Sequence, residues 1–139
     1  MNKEMLSFNE KIIEEFRTNE GLVAMFPGLP MIVLHTIGRK TGEKLLVPLV
    51  LTVKKDGEMI LFGSFAGAKE NPAWAHNLRA NPEIDVEVGT EKFAARIEEL
   101  SDEDAKEACR ITAANNKTFA GYVESAAPRN IPVFRVHRL

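Results

Sequence analysis

Residues 84–100 read IDVEVGTEKFAARIEEL, and this stretch carries the strongest structural signal in the chain. Apolar and polar residues alternate strictly from Ile84 to Val88, Gly89-Thr90 supplies a turn, and a less regular alternation runs from Phe93 to Leu100. A period of two is typical of a strand with one face in water, and a short turn joins two such strands into a hairpin. The stretch therefore predicts two antiparallel strands.

The sequence upstream of this hairpin predicts further strands. Residues 31–37, MIVLHTI, are apolar and β-branched, as in a buried strand. Residues 45–54 form a second strand, and Pro48 within it requires an edge position or a bulge, because proline has no N–H to donate to a ladder. Asp56-Gly57 then predicts a hairpin turn, after which residues 59–64 return antiparallel to that strand.

Residues 131–137, IPVFRVH, predict the last strand. About six strands with only hairpin or helix connections are typical of a small antiparallel barrel with peripheral helices. The expected fold class is therefore mainly β, of the α+β type.

Helical periodicity is clearest at the start of the chain. From Ser7 to about Glu20 the apolar residues recur at helical spacing, and Ser7 with Glu10 has the pattern of a capping box. This predicts an N-terminal amphipathic helix whose apolar side faces the core. That side consists of Phe8, Ile12, Ile13 and Phe16.

Two more helix starts are recognisable. Asn71 is the expected N-cap of a helix that has Pro72 at its first position and ends near Ala80. Residues 101–104, Ser-Asp-Glu-Asp, form an acidic start favoured by the helix dipole. A last helical turn is expected through residues 119–122, before Pro128.

Length and charge limit the possible functions. The 139 residues, at 15.5 kDa, fit one domain spanning residues 1–139. Eighteen basic against 20 acidic residues leave a net charge of −2, which excludes nucleic-acid binding by bulk charge. No apolar stretch approaches the ~20 residues that a membrane-spanning helix needs. We therefore expect no nucleic-acid partner and no membrane span.

Metal and thiol chemistry are not indicated. The three histidines, His35, His76 and His137, lie on separate predicted elements without ligand spacing. The single cysteine, Cys109, cannot form an internal disulfide, which fits the reducing cytoplasm. We expect no metal site and a cytoplasmic location.

The first candidate site is TIGRKTG, residues 36–42, which places Arg39, Lys40 and Thr41 between two glycines directly after a strand. Glycines allow a tight turn with backbone amides aimed at an anion, and the two cations add charge-assisted hydrogen bonds to phosphate or carboxylate. The alternative is a solvated hairpin loop that simply needs turn residues.

The second candidate site is FGSFAGA, residues 62–68, where a strand ends in small residues that let a flat ring approach the backbone. The alternative here is an irregular connection packed for steric reasons. On the following helix, Trp74 and Asn77 share a face and together offer a ring edge and an amide hydrogen bond, although a buried tryptophan is more often part of the core.

The order of these motifs resembles a known family. TIGRKTGEKLLVPL, GSFAGAKENPAWAHNLRANP, DVEVG and IPVFRV follow one another as in the deazaflavin-dependent nitroreductase family, which uses coenzyme F420. The resemblance runs from the FNEKIIEEFR helix to the last strand. It implies a split β-barrel of the FMN-binding type, often a homodimer, that holds a deazaflavin in a groove.

The resemblance also implies roles for individual residues. Arg39, Lys40 and Thr41 are implied to bind the phosphate and the oligoglutamate tail of the cofactor. Residues implied to contact the ring system are Pro48, Leu49, Phe62, Gly63, Ser64, Ala73, Trp74 and Asn77. The acceptor pocket is assigned to Phe119 and Tyr122, and the proton donor to Tyr122 or Ser64.

The expected function is hydride transfer from reduced F420 to a small hydrophobic acceptor such as a quinone, an enone or a nitro compound. Relatives often carry basic residues where this chain has Leu45 and Phe65, which keeps an FMN-dependent reductase on the same barrel as an alternative. A non-catalytic flavin, deazaflavin or small-ligand binding protein is the alternative from another functional class.

Overall fold

In a computed structural model of the chain, the backbone is described for residues 3–139 and the side chains from Phe8 onward. Seven strands and four helices follow one another among these residues. In chain order they are α1 (Lys3–Thr18), β1 (Met31–Ile37), β2 (Lys44–Val50), β3 (Thr52–Val53), β4 (Met59–Phe62), α2 (Ala73–Ala80), β5 (Glu83–Val88), β6 (Glu91–Glu99), α3 (Asp102–Asn115), α4 (Lys117–Ala126) and β7 (Val133–Arg138).

The strands form one antiparallel sheet in the order β2-β1-β5-β6-β7-β4-β3. β2 and β3 lie at opposite edges of this sheet, yet only Leu51 separates them in the chain. One extended segment therefore joins the two edges, so the sheet must curl into a half-barrel. The predicted antiparallel barrel is confirmed, with seven strands because the expected strand 45–54 is divided at Leu51.

Leu51 is the point at which the extended segment changes partners. Its side chain is almost fully buried in the main core, and its N–H donates to the Pro30 carbonyl at 2.9 Å. Before Leu51 the segment pairs with β1, and after it with β4. Pro48 lies opposite Val33 on β2, which is an edge strand, as its missing N–H predicts.

Three hydrophobic clusters cover the sheet. The largest lies inside the curl and includes Ile32, Leu34, Leu61, Trp74 and Phe134. A second joins α3 and α4 to the strands through Cys109, Phe119 and Val133. In the third, Ile12, Ile13 and Phe16 of α1 pack on Met31 and Val33, so the predicted apolar face of this helix is buried as expected. Phe8 is the exception, because it is half exposed.

An ionic network ties α1 to the sheet. Arg17 donates to Glu87 through Nε and Nη2 at 3.0 and 2.7 Å, and His35 Nε2 lies 2.6 Å from the same carboxylate. Arg17 above all, with His35, holds the pKa of Glu87 at about 2 against an ordinary value of 4.5. The second hairpin thus supplies the anchoring charge for the N-terminal helix.

Two predicted helix starts are wrong. α1 begins at Lys3, four residues before Ser7, and the Ser7 side chain of the proposed capping box lies outside the described residues. α2 begins at Ala73 with Pro72 as its N-cap. The side-chain oxygen of Asn71, expected to cap this helix, instead accepts a hydrogen bond from Arg129 Nη1 at 2.7 Å.

The other elements agree closely with the sequence. β1 has the predicted bounds, and the Asp56-Gly57 turn joins β3 to β4, although β4 ends at Phe62. Ser101 caps α3, its hydroxyl oxygen accepting from Asp104 N at 3.2 Å. β7 is displaced from the predicted 131–137 to Val133–Arg138. Within residues 3–139, no helix has the length and hydrophobicity needed to cross a bilayer.

The low pKa of Glu87 predicts an acid-dependent contribution to stability. Because its pKa is lower in the folded than in the unfolded chain, the ionised carboxylate stabilises the fold above about pH 4.5 and loses this effect as pH falls towards 2. Glu87→Gln should lower the free energy of unfolding by about 2 kcal/mol at pH 7. Urea unfolding at several pH values should show this difference shrinking on acidification.

A matched control is Glu91→Gln on the next strand, whose ion pair with Arg138 is exposed and should contribute about 0.5 kcal/mol or less. Equal effects of the two substitutions at pH 7 would contradict the anchoring role of Glu87.

Candidate cofactor and acceptor site

The GRKTG loop connects β1 to β2 and is fixed by its own backbone. Gly38 N donates to the Glu43 carbonyl and Gly42 N to the Gly38 carbonyl, both at 2.8 Å. Gly42 has a φ of +73°, which is accessible to glycine at little cost. Thr41 Oγ1 accepts from Glu43 N at 3.2 Å, so part of its side chain stabilises the turn itself.

Asn77 of α2 holds this loop in place. Its Oδ1 accepts a hydrogen bond from the backbone N–H of Arg39 at 3.0 Å, and the side chain is buried. The structure thus brings Asn77 together with Arg39, but through the loop backbone, a contact that the sequence did not predict. The first candidate site and α2 form one unit.

The tip of the loop is positively charged and accessible. Arg39 and Lys40 are exposed, and neither forms an ion pair with any side chain from residue 8 onward. His76 responds to this charge. Burial lowers the pKa of His76 from its usual value, and the nearby Arg39 and Arg79 lower it further. The donor set therefore fits a phosphate or carboxylate ligand.

The strand end at residues 62–64 is tightly packed. Gly63 N donates to the Pro132 carbonyl at 2.8 Å, and a Cβ on Gly63 would lie only 2.7 Å from Pro132 Cγ. The next three residues all have positive φ values: 48° for Phe65, 51° for Ala66 and 82° for Gly67. For a residue with a side chain this conformation costs about 1–2 kcal/mol, so residues 65–67 form a strained turn.

Aromatic side chains of α4 lie beside this strand end. The rings of Phe62 and Phe119 meet edge to face, with centroids 5.0 Å apart. Tyr122, half-buried, packs at the margin of the same cluster, and a Cβ on Gly67 would lie 3.1 Å from the Tyr122 Cα. Phe62, Phe119 and Tyr122 therefore lie together in the structure. Gly63 and Ser64 follow Phe62 directly in the chain.

The remaining predicted ring contacts are dispersed. Trp74 is buried in the main core, 5.6 Å from the Phe134 ring, which supports the core interpretation of this residue. Leu49 packs against the same cluster, whereas Pro48 is half-buried on β2 and Ala73 is exposed at the start of α2. Their contact with a cofactor stays a prediction.

Two surface cavities do not coincide with these residues. One, of about 590 Å³, lies along residues 15–28, and another, of about 290 Å³, is lined by His35, Lys44 and Asp85 among others. Neither cavity includes a residue of the GRKTG loop or of the strand end, so the case for the candidate site rests on the charge of the loop and on the aromatic contacts.

Arg129 is the residue at this site that sequence reasoning missed. It donates hydrogen bonds to the carbonyls of Gly63, Ser64 and Ala68 as well as to Asn71. Arg129 lies just before the IPVFRV motif, but no local pattern reveals acceptors about sixty residues away. Its hydrogen bonds hold the backbone of the strand end in place.

A family model described as F420H(2)-dependent quinone reductase matches residues 9–137. The chain belongs to this family. The match confirms the predicted reductase and the predicted cofactor, F420, and it covers both the cationic loop and the aromatic strand end.

Curated relatives and solved structures agree with this family assignment. The F420H(2)-dependent quinone reductase Rv1261c of Mycobacterium tuberculosis is 32% identical over 120 residues, which is 84% of this chain and 79% of that protein. The structure titled F420-H2 dependent reductase (FDR-A) is 29% identical, with a TM-score of 0.64 over 78% of this chain and 94% of its own. A structure titled domain-swapped dimer is 26% identical, with a TM-score of 0.66 over 96% and 98% of the two chains.

The contact between Asn77 and the loop of the reductase predicts an indirect effect on cofactor binding. Asn77→Leu removes the acceptor of the Arg39 N–H while keeping a side chain of similar size, so the cationic loop loses its fixed position. F420 affinity, measured by fluorescence titration, should fall about tenfold.

The control is Asn81→Ala, which removes only a 3.4 Å contact to the Ile37 carbonyl at the base of the loop. Its effect should stay below about twofold. If Asn77→Leu binds F420 as the unmodified protein does, the loop does not depend on Asn77.

Proposed function

We propose that the protein transfers a hydride from reduced F420 to a quinone. The observation that carries this proposal is the pair of cations, Arg39 and Lys40, on a loop that Asn77 holds against α2. The chain that carries this loop belongs to the quinone reductase family. An exposed pair of cations without acidic partners among the described side chains is better explained by a loop that binds an anionic tail than by a loop that serves only as a turn.

In this proposal the loop and the strand end bind different parts of the cofactor. Arg39 and Lys40 supply charge to the tail, and Thr41 adds its hydroxyl while it stabilises the turn. Gly63 and Ser64 present backbone to the ring, because neither carries a large side chain. We keep Pro48, Leu49, Phe62, Ala73, Trp74 and Asn77 as the remaining proposed cofactor contacts.

When bound, reduced F420 supplies the hydride, and the chain supplies orientation and a dry surface. Phe62, half-buried, offers an apolar ring to a flat acceptor at the strand end, and the buried Phe119 supports this proposed acceptor pocket by packing edge to face against Phe62. Hydride addition to a quinone leaves an oxygen that needs a proton. The Tyr122 phenol, half-buried at the margin of this cluster, is the proposed donor, with the Ser64 hydroxyl as a second candidate.

Quinones are proposed ahead of enones and nitro compounds because the family and the curated relatives carry quinone reductase in their names. Leu45 and Phe65 are exposed and supply no cation for a long tail, which had favoured an FMN-dependent reductase, but the family match favours F420. It also favours a reductase over a binding protein without turnover.

We further propose a homodimer that works in the cytoplasm and has no nucleic-acid partner. A solved relative of similar fold is titled a domain-swapped dimer, and Leu22, Met25 and Leu29 are exposed on one connection of this chain. The single cysteine, Cys109, is a buried free thiol that cannot form an internal disulfide, which fits a reducing compartment. Residues 1–139 are taken as one domain, because one sheet spans residues 31–138. Light scattering of the purified protein measures the dimer directly.

Charge reversal tests the cofactor loop. Lys40→Glu should weaken F420 binding by roughly 2 kcal/mol or more, since a charge-assisted bond is replaced by repulsion. The loss should grow with the length of the oligoglutamate tail and should be smaller for FMN, when F420, FMN and FAD are titrated side by side. Unchanged affinity for all three would reduce the GRKTG loop to a turn.

Removal of one hydroxyl tests the proton donor. Tyr122→Phe keeps the ring and its packing, so F420 affinity should hold while turnover of a quinone falls about 10²-fold. Ser64→Ala is the matched variant for the second donor candidate. Normal turnover in Tyr122→Phe would assign this residue to packing, and no turnover of the unmodified protein across quinones, enones and nitro compounds would favour the binding protein.

A further inference from the structure

Arg129 lies between α4 and β7 and directs its guanidinium at the strand end. Its Nε donates to the Ala68 carbonyl at 2.9 Å, and its Nη2 to the Ser64 carbonyl at 2.8 Å. Its Nη1 donates both to the Gly63 carbonyl at 3.0 Å and to Asn71 Oδ1 at 2.7 Å. A guanidinium has five N–H groups in a rigid fork, and these contacts occupy four of them.

All four acceptors of Arg129 are uncharged. No carboxylate among the side chains from residue 8 onward forms an ion pair with it, and partial burial lowers its pKa. A partly buried cation without a counter-charge is unfavourable, so its hydrogen bonds must compensate for the lost hydration. The side chain is thus bound to the backbone of residues 63–68 by several contacts that act together.

These contacts constrain a segment that needs constraint. Residues 65–67 all adopt positive φ, and two of them are not glycine. Such a turn persists only where its surroundings determine its conformation. Arg129 binds the carbonyls immediately before and after this turn, and Gly67 within the turn lies against Tyr122 of α4.

We propose that Arg129 is the positioning residue of the reaction: it fixes the Gly63–Ser64 backbone relative to α4 and thereby sets the alignment of the cofactor ring with the acceptor. This inference rests on the proposed function. Arg129 touches neither reactant in this assignment. It acts through the two backbone carbonyls that it binds and through the turn that packs under Tyr122.

Three substitutions separate geometry from charge and from general stability. Arg129→Met removes the fork, Arg129→Lys keeps the charge without the fork, and Asn71→Ala removes a single acceptor. The control is Lys69→Met. Lys69 Nζ donates to the Ala127 carbonyl at 2.6 Å, so this substitution removes another hydrogen bond between the two segments but none that involves residues 63–64.

With bound F420 and a saturating quinone, Arg129→Met and Arg129→Lys should both lower kcat by about tenfold or more while the quinone KM changes by less than about threefold. Asn71→Ala should have an intermediate effect, and Lys69→Met should resemble the unmodified protein. Assays are run well below each variant's melting temperature, so a loss of stability alone does not lower kcat.

The ligand-free protein gives an independent readout. Amide hydrogen exchange of residues 63–68 should be about tenfold faster in Arg129→Met than in the unmodified protein or in Lys69→Met, because only the Arg129 substitution removes the hydrogen bonds to the carbonyls of this stretch. If Arg129→Met does not fold, Asn71→Ala takes its place in both measurements, with the same directions expected.

Normal kcat and normal amide exchange of residues 63–68 in Arg129→Met or its substitute would overturn the proposal, and so would full recovery of kcat in Arg129→Lys. A lowered melting temperature with unchanged kcat would also overturn it, because Arg129 would then only stabilise the fold. If the unmodified protein neither binds F420 nor reduces a quinone, the proposed function fails, whereas faster amide exchange in Arg129→Met than in the unmodified protein still supports the contact of Arg129 with residues 63–68.

Discussion

The structure depends on one covalent constraint, the continuity of residues 44–53 across both edges of the sheet. The segment pairs with β1 before Leu51 and with β4 after it, so the two edges cannot separate. β4 runs antiparallel to this segment, and its end at Phe62 therefore points back towards the end of the half-barrel where the loop before β2 lies. α2 connects the two regions, since it follows the strand end and reaches the loop through Asn77. The closure of the sheet thus sets the course of the chain from the strand end through α2 to the cationic loop.

Local signals in the sequence were sufficient for most elements. β1 has the predicted bounds because its apolar, β-branched run is uninterrupted, and Pro48 lies on an edge strand because the chemistry of proline permits little else. The division at Leu51 has no local signal, since leucine is compatible with a continuous strand. Asn71 was assigned to the wrong role for a related reason: its acceptor group binds an arginine 58 residues away, and capping preferences describe only neighbours.

The candidate site shows the same limit. GRKTG was recognisable from glycine spacing and charge, but its attachment to Asn77 and the contacts of Arg129 are tertiary. For Trp74 the sequence left both a core position and a ring contact open; the structure buries it in the main core against Phe134, and its contact with the cofactor stays a prediction. Two kinds of cation result. Arg39 and Lys40 are exposed, so dissolved salt screens them, whereas the part-buried Arg129 is bound to carbonyls and is screened much less.

The position of β7 has a consequence for how the chain acquires its structure. β7 lies between β6 and β4, and its pairing with β4 joins residues as distant as Met59 and Val136. The hairpins β1–β2 and β5–β6 involve only near neighbours and form quickly, while contacts between distant residues form slowly. During synthesis on the ribosome, the early hairpins therefore emerge with their apolar faces uncovered. The pairing of β7 with β6 and β4 has to wait until residues 133–138 have been made.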